Sequence, residues 1–136
     1  MTEVNLSGSC LCGKVKFFIA AELEEFYFCH CQQCRKLSGT AFASNILAKP
    51  SPIVWRSGSE LIRRFDYPGE RSFTRVFCGN CGSALPFLNK RMSSLIIPAG
   101  SLDSEVSILP DKNIFWDDKA PWLDAGTAAQ RFIGFP

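Results

Sequence analysis

The chain has 136 residues, 46% of them hydrophobic and 21% charged, and a net charge of +2. This length suits one domain, taken here as residues 1–136, and the composition excludes a disordered chain. The near-neutral balance argues against nucleic acid and anionic membranes as partners.

The first nine residues are polar. Glu3 and Asn5 stand where a secretory signal would need basic and then apolar residues. The longest apolar runs, Phe17 to Ala21 and Leu95 to Ile97, fall far short of the ~20 residues a spanning helix needs. The expectation is a soluble, cytoplasmic protein. In such a compartment clustered cysteines read as metal ligands or catalysts rather than disulfides, and an odd count of seven resists full pairing.

Short runs rich in Val, Ile, Phe and Leu follow one another between turn signals. Val15 to Ala20, Glu25 to Cys29, Phe42 to Ala48, Ile53 to Arg56, Leu61 to Tyr67, Ser72 to Cys78 and Ser93 to Pro98 are predicted strands. Phe73, Arg75 and Phe77 alternate with Thr74 and Val76, a strand period of two. Only Gln32 to Leu37 suits a short helix or turn. The pattern predicts a mainly β fold of antiparallel sheets. Between Arg56 and Arg91 seven basic residues face three acids, and between Asp103 and Asp124 six acids face two lysines. Such runs form solvated faces, or, for the arginines, a cleft for an anionic small molecule, because the guanidinium fork matches a carboxylate.

The cysteines fall into three groups: Cys10 and Cys12; Cys29, Cys31 and Cys34; Cys78 and Cys81. In Cys78-Gly79-Asn80-Cys81-Gly82 a tight turn aims two sulfurs at one point, half of a tetrahedral zinc site. Cys10 and Cys12, read as strand residues at i and i+2, would project to the same side and complete it. Cys29, Cys31 and Cys34 would then be three ligands with an open fourth position, the arrangement of catalytic zinc. Three thiolates weaken the Lewis acidity of the metal and favour a soft fourth ligand, so chemistry on a thiol suits the site better than peptide hydrolysis. Spacing equally allows Cys31 and Cys34 to pair with Cys78 and Cys81, leaving Cys10, Cys12 and Cys29 over. The lone histidine, His30, would point away from Cys29 and Cys31 in extended backbone. It either hydrogen-bonds to backbone and orients the turn, or supports the ligands and shuttles protons.

Three stretches taken together resemble the glutathione-dependent formaldehyde-activating enzymes, which share a domain with centromere protein V. They are Ser7 to Val15 around Cys10 and Cys12; Cys29 to Lys36 with Gly39 and Phe42; and Phe77 to Ser83. The resemblance runs from Ser7 to about Trp122. It implies a β-tent (Mss-four-like) fold stapled by zinc. It implies a structural zinc on Cys10, Cys12, Cys78 and Cys81, and a catalytic-type zinc on Cys29, Cys31 and Cys34. The implied activity is carbon–sulfur lyase-like: glutathione condenses with formaldehyde, or the adduct is cleaved. Arg35 and Lys36 follow the ligand loop and could steer an anionic substrate or face solvent. Trp116, Asp117 and Asp118 match an acidic-aromatic stretch expected to pack beside the metal loops. The same cysteines also suit two other classes: a non-enzymatic, zinc-stabilised binding module, and a thiol redox or metal-buffer protein.

Overall fold

The computed structural model describes residues 2–136. Three sheets make up the molecule. In the first, β1 (Val4–Ser9) runs antiparallel to β2 (Lys16–Ala21), and β2 pairs on its other edge with β5 (Ile53–Ser57). The second has five strands in the order β11 (Lys112–Ile114), β3 (Leu23–Cys29), β4 (Ala43–Ala48), β10 (Leu95–Pro98) and β9 (Phe87–Leu88). The third is β6 (Ile62–Asp66), β7 (Thr74–Cys78) and β8 (Ala84–Leu85). Two short α-helices, α1 (Gln32–Ser38) and α2 (Leu123–Ala128), and three single-turn 3-10 helices (Ser59–Leu61, Ala99–Ser101 and Trp116–Asp118) complete the regular structure of the described residues.

The strands form where side chains of alternating burial can share a core. Phe17, Ile19 and Ala21 of β2 are buried, as are Ile46 and Ala48 of β4 and Leu95 and Ile97 of β10. Each large side chain so buried contributes ~1.5–3 kcal/mol, against a few tenths for a helix pair on the surface. The sheets therefore hold the fold, and the helices are carried on them.

The predicted strands are all present, with ends that differ by one or two residues: β4, β6, β7 and β10 are shorter, β3 and β5 longer, and β2 shifted by one. Three departures have physical causes. β1 was not predicted, because only Val4 and Leu6 are apolar in it; pairing with all six residues of β2 makes it a strand. β11 pairs with β3 in parallel, whereas antiparallel neighbours alone were expected. A segment more than 80 residues away in sequence is not bound by hairpin geometry, so its direction is set by packing. The helix α2 has six residues, too few for an amphipathic period to show. Among the described residues, no helix is long and apolar enough to cross a membrane.

Candidate functional site

The seven cysteines, all free, gather into two groups. The sulfurs of Cys10, Cys12, Cys78 and Cys81 lie within 4.8 Å of one another, and so do those of Cys29, Cys31 and Cys34. Of the two partitions that spacing allows, the fold brings together this one.

The four-cysteine group joins two turns. Cys10 and Cys12 are not strand residues, as their spacing suggested. They sit in the turn between β1 and β2, closed by the Gly13 N–H donating to the Cys10 carbonyl at 3.0 Å. The turn, not strand alternation, brings their sulfurs to 3.5 Å. The second turn follows β7, where Gly82 donates to the Cys78 carbonyl at 2.8 Å with a left-handed φ of 79° that glycine adopts without strain. Backbone N–H groups point at the sulfurs, Val15 at Cys10 (3.3 Å) and Asn80 at Cys78 (3.4 Å), as they would toward thiolates. The Ser83 hydroxyl lies 3.2 Å from the Cys81 sulfur, and its hydrogen bond leads the causes that pull that thiol down to about 5. Burial pushes the Cys10 thiol up, while the Asn80 side chain pulls that of Cys12 down.

The three-cysteine group forms where β3 runs into α1. Cys29 ends the strand, Cys31 caps the helix, and Cys34 lies in its first turn. The Cys31 sulfur accepts the Cys34 N–H at 3.3 Å, so the helix start itself fixes one sulfur. All three are buried. Hydrogen bonding from Cys34 draws the Cys29 thiol down to about 6, with the Arg71 charge a smaller cause, and the same interaction together with burial pushes Cys34 far up. The Arg71 guanidinium, from the loop between β6 and β7, reaches the Cys31 sulfur at 3.6 Å.

The donor chemistry fits a soft divalent metal. Sulfurs held at ~2.3 Å from a tetrahedral zinc stand ~3.8 Å apart, within the spread of both groups. Several buried thiolates this close together repel one another, and a bound cation offsets that charge.

A cavity of about 970 Å³ opens beside the three cysteines. Its floor is one face of the five-stranded sheet. Tyr27 and Cys29 on β3, Ala43, Asn45 and Leu47 on β4, and Ile96 and Pro98 on β10 alternate onto that face. Tyr27 is the direct cross-strand partner of Asn45. Burial, and next the nearby Cys29 charge, push the Tyr27 hydroxyl up to about 12. The opposite wall carries Phe73 and Arg75. Burial lowers the affinity of Arg75 for its proton, and its one hydrogen bond, to the Gly82 carbonyl, is long at 3.5 Å.

Of the seven basic residues between Arg56 and Arg91, only Arg71 and Arg75 line this cavity. Arg56 lies over the Phe18 ring, Arg64 pairs with Asp66, and Arg63 bonds to the carbonyls of Glu60 and Ile62. Of the two basic residues after the ligand loop, Arg35 keeps a buried Nε without a partner and Lys36 is exposed. His30 is buried, and its ring bonds to a side chain rather than to backbone: Nε2 lies 2.9 Å from Asn113 Oδ1, while the His30 backbone N–H donates to the Ile114 carbonyl at 3.0 Å. Phe42 and Trp116 flank its ring, each with centroids 5.0 Å away, so Trp116 does pack beside the metal loop, while Asp117 and Asp118 are exposed. Sequence reasoning missed Tyr27, Asn45 and Asn113 altogether. No local signal marks them, since strand pairing alone brings them to the site.

Comparison with known proteins gives a consistent picture. A family model described as glutathione-dependent formaldehyde-activating enzyme matches residues 5–118. A Halomonas elongata protein named "Putative glutathione-dependent formaldehyde-activating enzyme" is 29% identical over 143 residues, covering 96% of this chain and 88% of its own length. An uncharacterized lyase of Schizosaccharomyces pombe is 28% identical over 127 residues, covering 92% and 88%. The crystal structure of a Rhodobacter sphaeroides protein aligns with a TM-score of 0.55 at 22% identity, over 75% of this chain and 92% of that one. That likeness is one of fold, and the architecture is the mainly β, β-tent type.

Proposed function

The chain belongs to the family of glutathione-dependent formaldehyde-activating enzymes, and from that premise we propose that it is a zinc-dependent carbon–sulfur lyase-type enzyme acting on a thiol adduct. The preferred substrate pair is glutathione with formaldehyde or another small aldehyde. The observation that carries this reading is the placement of the three cysteines. They converge on one point, and Cys29 and Cys34 face a cavity large enough for a tripeptide-sized ligand.

Cys10, Cys12, Cys78 and Cys81 would hold one zinc that closes the fold. Cys29, Cys31 and Cys34 would hold a second. Zinc bound there supplies an electrophilic centre with affinity for a soft sulfur. The residues of the chain do the rest. The sheet face and Phe73 exclude water from one side of the substrate. Arg75 offers its unpaired donors to a substrate carboxylate. The Tyr27 hydroxyl and the Asn45 amide, side by side on the sheet, can donate to the aldehyde oxygen as negative charge develops on it. The reaction forms one carbon–sulfur bond and moves one proton from sulfur to oxygen. It needs no electron carrier.

The reading includes a cytoplasmic location, since reduced thiol clusters of this kind suit a reducing compartment, and a single domain over residues 1–136. The test is adduct exchange between glutathione and labelled formaldehyde, followed by NMR with the uncatalysed rate subtracted. Exchange above background is expected from wild type and absent from a folded Cys31→Ser variant. No acceleration with any of several thiols and aldehydes would sink the lyase reading and favour a zinc-stabilised binding module.

A further inference from the structure

The three-cysteine site has a charge problem that the cysteines cannot solve. Loading three neutral thiols with a divalent cation releases three protons and leaves one net negative charge. Adding a substrate thiolate leaves two. Such charge in a buried place is costly unless a cation offsets it.

Arg71 is placed to do this. Its Nη2 donates to the Cys31 sulfur at 3.6 Å. Among the described residues no other cationic side chain bonds to a sulfur of this group. Three contacts hold the guanidinium there. Its Nη1 donates to Gln33 Oε1 at 2.8 Å, its plane lies over the Phe115 ring at 4.5 Å, and the Phe73 ring is 5.7 Å away. Phe115 itself adopts a left-handed φ of 54°, a conformation that strains a non-glycine residue. Arg71 is thus fixed from α1, from its own loop and from the segment after β11. Arg71 is itself exposed, so these contacts, rather than burial, hold its guanidinium at the Cys31 sulfur.

We infer that Arg71 is a positioning residue of the three-cysteine site, whose charge offsets the Cys31 thiolate and so admits an anionic fourth sulfur. The inference rests on the proposed function only in that Cys29, Cys31 and Cys34 hold a metal. Arg71 acts through Cys31, and a partner of a metal ligand typically changes metal affinity ~10–100-fold.

The test is cobalt(II) titration of the full chain, followed by 2-mercaptoethanol. The uncharged tail of this thiol separates the sulfur charge from carboxylate recognition. The thiolate-to-cobalt absorption reports both steps. Arg71→Met keeps the apolar reach over Phe115 and is expected to weaken cobalt binding at the three-cysteine site and thiol binding there by about tenfold or more each. The four-cysteine site should be unchanged and serves as a folding control in the same sample. Arg71→Lys should recover most of both losses. If Arg71→Met fails to fold, Arg71→Gln carries the same comparison. Wild-type affinities in Arg71→Met, or in Arg71→Gln where it stands in, would overturn the inference, and so would an Arg71→Lys variant as weak as Arg71→Met. If the wild type accelerates no adduct but the variants keep this order, the inference stands and the lyase reading falls. If wild type binds no cobalt at the three cysteines, the inference falls with the site.

Discussion

The backbone N–H of Leu11 donates to the hydroxyl of Ser83 at 2.9 Å, across 72 residues of chain. Through this one hydroxyl, which also lies 3.2 Å from the Cys81 sulfur, the two halves of the four-cysteine group are joined without any metal. Ser83→Ala should leave the Leu11 donor to solvent and cost about 1 kcal/mol, lowering Tm by a few degrees. It should also speed zinc loss to a chelator, and Ser83→Thr should restore both. An unchanged Tm together with an unchanged chelation rate would mean that the turns dock without it.

The two cysteine groups should respond differently to serine. Cys78→Ser removes one of four thiolates from a site that ties the first hairpin to the third sheet. Structural zinc contributes ~10–16 kcal/mol in small domains, as much as a whole domain's stability, so this variant should fail to fold stably. Cys31→Ser should stay folded, because serine caps a helix well and can still accept the Cys34 N–H. Native mass spectrometry should show it one zinc short. Unfolding of Cys31→Ser as severe as that of Cys78→Ser would refute this division of labour.

Metal removal should proceed in two stages. Native mass spectrometry of protein purified without chelator should give two zincs per chain. Increasing chelator should take the ion on three ligands first, abolishing activity while circular dichroism stays native. The second ion should leave together with the fold. A single step in which both ions and the fold disappear would contradict the assignment of separate roles.

Arg75 should matter for charged thiols only. If it holds a substrate carboxylate, Arg75→Ala should raise KM for glutathione ~10–100-fold, the value of a charge-assisted hydrogen bond of ~1.5–3 kcal/mol. It should leave kcat, and the reaction of an uncharged thiol, nearly unchanged. Equal losses for both thiols would assign Arg75 to structure.

Asp66 provides a pH test on the third sheet. Its carboxylate accepts from Arg64, the chief cause, and from Thr74 at 2.6 Å, with Lys90 adding charge, and all lower its pKa below the ordinary 3.8. A lowered folded pKa gives stability that is present above the unfolded value and lost as pH falls through the folded one. Asp66→Asn should therefore be less stable near neutrality. The gap should stay under about 1 kcal/mol, since solvent screens an exposed pair. It should close only below about pH 4, in thermal melts taken across that range. A gap that persists at lower pH would point to packing rather than charge.

Much of the site was legible in the residues themselves. Cys78-x-x-Cys81 and Cys10-x-Cys12 each bring two sulfurs together through a local turn, and such turns are set by a few neighbouring residues. The helix that starts at Gln32 was legible for the same reason, as were strands such as β7, whose alternation is complete within five residues. The reading of Cys10 and Cys12 as strand residues went astray because spacing of i and i+2 is the same in a strand and in a turn. Only the Gly13 to Cys10 hydrogen bond distinguishes them. β11, with three residues, carries too little pattern to be seen, yet it delivers Asn113 to His30 and precedes the Phe115 that holds Arg71.

The sequence by itself determined the donor type, the local pairs and triplet of sulfurs, and the mainly β character, because each depends on interactions among residues a few positions apart. The tertiary structure decided which pair joins which, which two of the seven basic residues between Arg56 and Arg91 face the cavity, and what stands beside the Cys31 sulfur. These choices close loops of 40 to 70 residues. The entropy of closing such loops grows only slowly with length, so spacing cannot rank the alternatives. Burial of Phe17, Ile46, Leu95 and Ile97 in one core cluster fixes how the sheets sit together, and so which turns meet.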